Sequence, residues 1–129
     1  MIAVDTSAIV AILKAEQEEM RLRGILERTG RAVISACSLL ELQIVLAGRK
    51  PESAWPQVEA LLAKYAVAIR TFDERQLRTA REAAVRYGKG RHKAALNFGD
   101  CFAYALAKTE DLPLLCTGKD FGATDIDIA

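Results

Sequence analysis

Short apolar runs alternate with longer amphipathic stretches along this chain. Ile2-Ala3-Val4 is a continuous apolar triplet closed by Asp5 and reads as a short buried strand. Thr6-Ser7 then offers an N-cap, which predicts a brief helix from Ala8 to Lys14. Met20, Leu22, Ile25 and Leu26 recur among charges and predict a second helix over Glu16 to Glu27, stopped by Thr29-Gly30. Ala32-Val33-Ile34, within Arg31 to Ser35, predicts a second strand. A helix from Ser38 to Ala47 closed by Gly48 follows. Pro51 suits the first turn of another helix, which reaches about Tyr65 with Val58, Leu61 and Leu62 on one face.

The second half repeats the alternation. Ala66 to Arg70 is a predicted third strand, and Asp73 caps a helix from Glu74 to about Tyr87. Gly88-Lys89-Gly90-Arg91-His92-Lys93 is a loop by composition. Asn97 to Lys108 is the most apolar predicted helix, Leu114 to Thr117 a fourth strand, and Ile126 to Ile128 a short edge strand. Strands of this length separated by helices predict an α/β fold with a twisted, mostly parallel sheet of four to five strands.

That fold class gives meaning to four acids placed where apolar residues belong. Asp5 ends the first strand, Glu41 interrupts the run 37–45, Asp100 heads the most apolar helix, and Asp120 follows the fourth strand. Ligands of parallel sheets bind beyond the carboxyl ends of the strands, and all four acids can reach that edge. Converging carboxylates repel one another, and a hard divalent cation keeps them ionised. An all-oxygen set suits Mg²⁺ or Mn²⁺ better than Zn²⁺, and such ions activate water for in-line phosphoryl displacement. Thr6, Ser7, Asn97 and Thr117 are candidates for orienting the carboxylates. Each acid also has an ordinary reading: Asp5 as a helix cap, Glu41 as half of an ion pair, Asp100 as a first-turn acid and Asp120 as a turn residue.

Composition narrows the class further. At 129 residues, 51 % hydrophobic and 27 % charged, the sequence predicts one compact domain, residues 1–129, rather than a disordered chain. No apolar stretch approaches the roughly 20 residues of a membrane span, and no secretory leader is visible, so the expected location is cytoplasmic with no membrane contact. Cys37, Cys101 and Cys116 lie within apolar runs without close pairing and read as reduced core thiols. The net charge of +1 hides a net +5 over residues 70–93 and a net −4 over residues 100–129. A basic stretch leading into an acidic one fits a metal-dependent enzyme with a polyanionic substrate, although a solvated helix and an acidic tail give the same count.

Val4-Asp5-Thr6-Ser7-Ala8, the isolated Glu41, Leu96-Asn97-Phe98-Gly99-Asp100-Cys101 and Leu115-Cys116-Thr117-Gly118-Lys119-Asp120-Phe121 together resemble the PIN-domain family, and within it the VapC ribonuclease toxins. The resemblance covers essentially the whole chain. It implies an Mg²⁺- or Mn²⁺-dependent endoribonuclease, a homodimer held inactive by a cognate antitoxin, with RNA, transfer RNA among the options, as substrate. It carries catalytic and metal-binding roles to Asp5, Glu41 and Asp100. Many members place a fourth acid where this chain has Lys119; Asp120 is assigned to that role, with Asp125 in reserve. Arg86, Lys89, Arg91 and Lys93 are the candidates for contact with the RNA backbone. His92, the only histidine, reads as a surface residue, and Trp55 as a half-buried aromatic. A phosphotransferase of haloacid-dehalogenase type is the enzymatic rival, but it wants a second acid where Ser7 stands. The other rival is a non-catalytic metal- or RNA-binding module acting through its antitoxin complex.

Overall fold

The computed structural model describes residues 1–47 and 51–129, with residues 51–53 as backbone only. Four strands, β1 (Ile2–Val4), β2 (Ala32–Ser35), β3 (Val67–Arg70) and β4 (Leu114–Leu115), form one sheet in the order β3-β2-β1-β4. Every pairing is parallel, with Ala3 opposite Val33 on one side and Leu114 on the other. Among the described residues six helices connect and flank them: α1 (Thr6–Leu13), α2 (Glu19–Thr29), α3 (Ala36–Ala47), α4 (Pro51–Lys64), α5 (Glu74–Tyr87) and α6 (Phe98–Glu110).

Alternation along the strands explains the two layers. Ile2 and Val4 of β1, Ala32 and Ile34 of β2, and Leu115 of β4 enter one core with α1, α2, α3 and α4. Ala3, Val33 and Leu114 point the other way, into a second core built with α5 and α6. Side chains of a strand face opposite sides at period two, so a continuous apolar run is what burial on both faces requires. β3, at the edge, is less covered, and Ile69 is largely exposed.

Several boundaries differ from the sequence reading, each for a local reason. α1 begins at Thr6 because Asp5, not Thr6 or Ser7, is its N-cap: Asp5 Oδ2 accepts from the Ser7 amide at 3.1 Å. α3 begins at Ala36, as the Ser35 hydroxyl accepts from the Cys37 amide at 3.2 Å and starts the helix directly off β2. α2 waits until Glu19, since Ala15 adopts a left-handed turn (φ 49°) after α1. It ends as expected on Gly30 in the left-handed region, φ 71°. The expected stop of α3 at Gly48 lies outside the described residues. The fifth strand is reduced to one parallel bridge, Leu114 to Ile128, and a 3-10 turn at Phe121–Ala123 fills the segment before it. Among the described residues no helix is long and apolar enough to cross a membrane.

Candidate active site

The carboxyl ends of β1, β2 and β4 and the N-terminus of α6 bring the acids to one edge of the sheet. Asp5 follows β1 directly and is buried, only 3 % exposed. It spends Oδ2 on the Ser7 amide, while Oδ1 is buried without a hydrogen-bond partner. Burial pushes its carboxyl above the usual range and the neighbouring Glu41 pushes the same way, against hydrogen bonds from Ser7.

Glu41 reaches this edge from α3. Its Oε1 accepts from the Thr6 hydroxyl at 2.9 Å, so α1 and α3 are tied through the acid itself. Its other oxygen lies against Gly99, in the first turn of α6.

Asp100 is held by a reciprocal cap. Its amide donates to Asn97 Oδ1 at 2.9 Å, and its own Oδ2 accepts from the Asn97 amide at 3.0 Å. Burial, then the charges of Asp5 and Asp120, push the Asp100 carboxyl up to about 6 despite that cap bond. Cys116, at the end of β4, is pushed up to about 12, by burial first and then by Asp5. Negative potential is therefore concentrated at this edge.

A pattern joins the three. Asp5, Glu41 and Asp100 each fix one carboxylate oxygen to the scaffold, and Asp5 leaves a buried oxygen with nothing to accept. A buried acceptor without a donor is costly, and a cation answers that cost together with the mutual repulsion. Among the described residues no three His, Cys, Asp or Glu side chains close into a ready-made cage. Mg²⁺ rarely uses one: it keeps several waters and takes one or two carboxylates. The donor set fits such an ion.

The remaining residues fall into place unevenly. Thr6 orients Glu41 through its hydroxyl. The Ser7 hydroxyl accepts from the Thr117 amide at 3.1 Å, so Thr117 acts through its backbone and ties β4 to α1. Asn97 orients the Asp100 carboxylate through its backbone N–H, while its side-chain Oδ1 holds the Asp100 amide. Asp120 is exposed, without a side-chain cap bond, and touches the cluster only through its charge on Asp100. The reserve acid, Asp125, is engaged elsewhere: it accepts from Tyr104 Oη at 2.6 Å and from Lys108 Nζ at 2.9 Å. Burial pushes its carboxyl up, but these hydrogen bonds prevail and hold it below the usual range.

Lys89, Arg91 and Lys93 are exposed on the α5–α6 loop and form no ion pair among the described residues. Arg86 points to Asp125 at 3.8 Å and lies 4.8 Å over the Tyr87 ring. His92 has a structural task, its Nδ1 accepting from the Ala94 amide at 3.0 Å. Trp55 packs half-buried against the first core. Cys101 and Cys116 are buried thiols, and Cys37 is partly exposed.

Three residues at this edge escaped the sequence reading. The Ser38 hydroxyl, in the first turns after β2, is buried without a partner. Arg21 of α2 reaches across to the Cys116 carbonyl at 3.4 Å. Gly99 adjoins Glu41. Only Gly99 carried a signal, a glycine inside a predicted helix.

Residues 2–127 match the PIN domain family. A ribonuclease VapC of Mycolicibacterium smegmatis is 43 % identical over 123 residues, 95 % of either chain. VapC20 of Mycobacterium tuberculosis, a toxin that cleaves the sarcin–ricin loop, superimposes with a TM-score of 0.80 at 18 % identity over 100 % of this chain and 98 % of its own. VapBC2 of Rickettsia felis, solved with a DNA fragment from its promoter, gives 0.78 at 16 % identity over 100 % and 98 %. The two solved structures speak for the fold, and the nearly full-length family and sequence matches for kinship: the chain belongs to the PIN-domain family, in its VapC branch.

Proposed function

We propose that this protein is a divalent-metal-dependent endoribonuclease, the toxin of a toxin–antitoxin pair, acting in the cytoplasm with residues 1–129 as one domain. The observation that carries the reading is that Asp5 is charge-coupled to both Glu41 and Asp100, each acid with one oxygen bound to the scaffold, while one buried oxygen of Asp5 has nothing donating to it. A ribonuclease name on a relative 43 % identical over nearly its whole length supports the same activity.

In this mechanism Asp5, Glu41 and Asp100 would hold Mg²⁺ or Mn²⁺, with Asp120 on the acidic rim. Lewis acidity is the chemistry that such an ion would supply there. Thr6 and the backbone amides of Ser7 and Asn97 keep the three carboxylates oriented, so little reorganisation accompanies the reaction. Ser7 and Thr117 together hold β4 against α1 beneath the site. Lys89, Arg91 and Lys93, with Arg86 at the base of their loop, attract and align the RNA backbone. No protein base is required in this arrangement.

An antitoxin partner is supported by the fold shared with VapBC2, solved as a complex. A homodimer is supported by a groove of about 710 Å³ between α5 and α6, lined largely by apolar side chains that include Phe72, Leu77 and Phe102. Phe98, at its rim, is 82 % exposed, which is unusual for a large aromatic on a monomer.

The test is cleavage of a mixed RNA pool by antitoxin-free protein, in Mg²⁺ or Mn²⁺ against EDTA, beside Asp5→Asn and Asp100→Asn. Discrete cleavage that requires metal and disappears in both variants is expected. Cleavage that survives both substitutions refutes the site. A folded wild type that binds the ion and cleaves no RNA leaves a binding module in its place.

A further inference from the structure

We propose that Gly99 is the positioning residue for the Glu41 carboxylate: the bare first turn of α6 is the seat that lets this acid reach the cluster. The inference rests on the reading of the cluster as a divalent-cation site. Glycine is a poor helix former, so a buried glycine at the second position of α6 requires a reason. Conformation does not provide one. Among the described residues the glycines that need the left-handed region are Gly30, Gly90 and Gly118, and Gly99 is not one of them.

Space does provide one. A Cβ on Gly99 would lie under 3.0 Å from both carboxylate oxygens and the carboxyl carbon of Glu41. Gly88 makes a useful contrast, because a Cβ there would strike the backbone carbonyl of Ala84, so that glycine serves the fold. At Gly99 the obstacle is instead the free end of a flexible side chain. An alanine is therefore accommodated by the fold at the expense of where Glu41 sits. Thr6 grips Oε1 at 2.9 Å and the open face of Gly99 receives Oε2; between them they confine a side chain with three rotatable bonds. Gly99 touches neither substrate nor ion in this scheme and acts only through Glu41.

Two measurements test the role. The first is a thermal-unfolding cycle in EDTA on wild type, Gly99→Ala, Glu41→Ala and the double variant. With Glu41 absent, Gly99→Ala is expected to raise Tm by about 2–4 °C, since alanine is the better helix former. With Glu41 present the same substitution should raise Tm less, or lower it. The second is calorimetric titration with Mn²⁺ alone, together with RNA cleavage. Gly99→Ala should bind Mn²⁺ about tenfold more weakly, in the range that outer-sphere supports command, and cleavage should fall with it. Adding Glu41→Asp, one methylene shorter, should restore part of the loss in the Gly99→Ala background while impairing the protein that keeps Gly99. Equal Tm increments in both backgrounds overturn the proposal, as does a Gly99→Ala protein that binds Mn²⁺ and cleaves like wild type. A wild type that neither binds Mn²⁺ nor cleaves overturns the reading of the site and the role of Gly99 with it, whatever the metal-free cycle shows.

Discussion

Replacing Asp100 by asparagine is expected to abolish cleavage and to make the metal-free protein more stable. The second half of that statement runs against habit, since removing a partly buried, hydrogen-bonded group usually destabilises. Here the carboxyl is pushed from 3.8 up to about 6, by burial and then by Asp5 and Asp120, so the folded state disfavours its charge. At about 1.4 kcal/mol per pH unit the shift corresponds to roughly 3 kcal/mol, and solvent screening of a partly exposed group reduces this to about 1–1.5 kcal/mol. Asparagine keeps an oxygen for the Asn97 amide, so the cap bond at 3.0 Å survives the substitution. For a chain of this size the gain is about 3–6 °C in Tm, read by thermal unfolding in EDTA at pH 7.5.

The pH dependence supplies the sign. A carboxyl whose folded-state value is raised binds more protons folded than unfolded between about pH 4 and 6. Its contribution is fully favourable below the unfolded value and is lost as pH rises through the folded one. The metal-free wild type should therefore gain stability relative to Asp100→Asn as pH falls from 7 to 4. An Asp100→Asn protein that melts below wild type in EDTA at pH 7.5, or a difference that does not change with pH, refutes the claim that this acid is electrostatically strained.

Mg²⁺ at about 100 times its dissociation constant should stabilise the wild type by about 2.7 kcal/mol and Asp100→Asn by much less, measured as the Tm difference between Mg²⁺ and EDTA. Asp125→Ala should lower stability by about 1–2 kcal/mol, chiefly by stranding the buried Tyr104 hydroxyl, and leave cleavage unchanged; because its folded-state carboxyl is lowered, this contribution is present at neutral pH and lost as pH falls through its folded-state value. Replacing Lys89, Arg91 and Lys93 by alanine should weaken RNA binding across sequences and reduce the slope of log affinity against log salt by about one per residue that contacts a phosphate, read in filter binding at several salt concentrations with an uncleaved substrate.

Much of the fold could be read from the residues because burial on both sheet faces leaves a continuous apolar mark, as at Ile2-Ala3-Val4 and Ala32-Val33-Ile34. Helix starts were harder, because several residues in a row can cap. Thr6-Ser7 and Asp5 all read as possible caps of α1, and the role falls to Asp5, whose short side chain reaches the Ser7 amide. The tail was harder still: Ile126 to Ile128 has a strand's composition, yet only Ile128 pairs with Leu114. At the site, Asp5, Glu41 and Asp100 were conspicuous because charge inside an apolar run is conspicuous. The contacts that orient them were not. Thr6 with Glu41 and Glu41 with Gly99 join elements distant in sequence, and no local pattern encodes them.

For Asp5 and Asp100 the ordinary reading, a helix cap, describes the bond that also orients the acid in the proposed site. Asp5 does cap α1 and Asp100 does close a capping box on α6. Each cap ties one oxygen to a backbone amide near a helix N-terminus, where the partial positive charge of the peptide dipoles favours an anion. That stabilisation lets a small domain hold acids close together. It also fixes the rotamer, so the free oxygen of each carboxylate has a defined place. The cap bonds do not offset burial, which is the first cause of the raised Asp5 and Asp100 carboxyls, nor the neighbouring acids that push the same way. What remains is a buried oxygen on Asp5 without a donor and an excess of negative charge at the end of the sheet. A site assembled from helix caps is thus rigid without being satisfied, and the divalent ion is the species that would satisfy it.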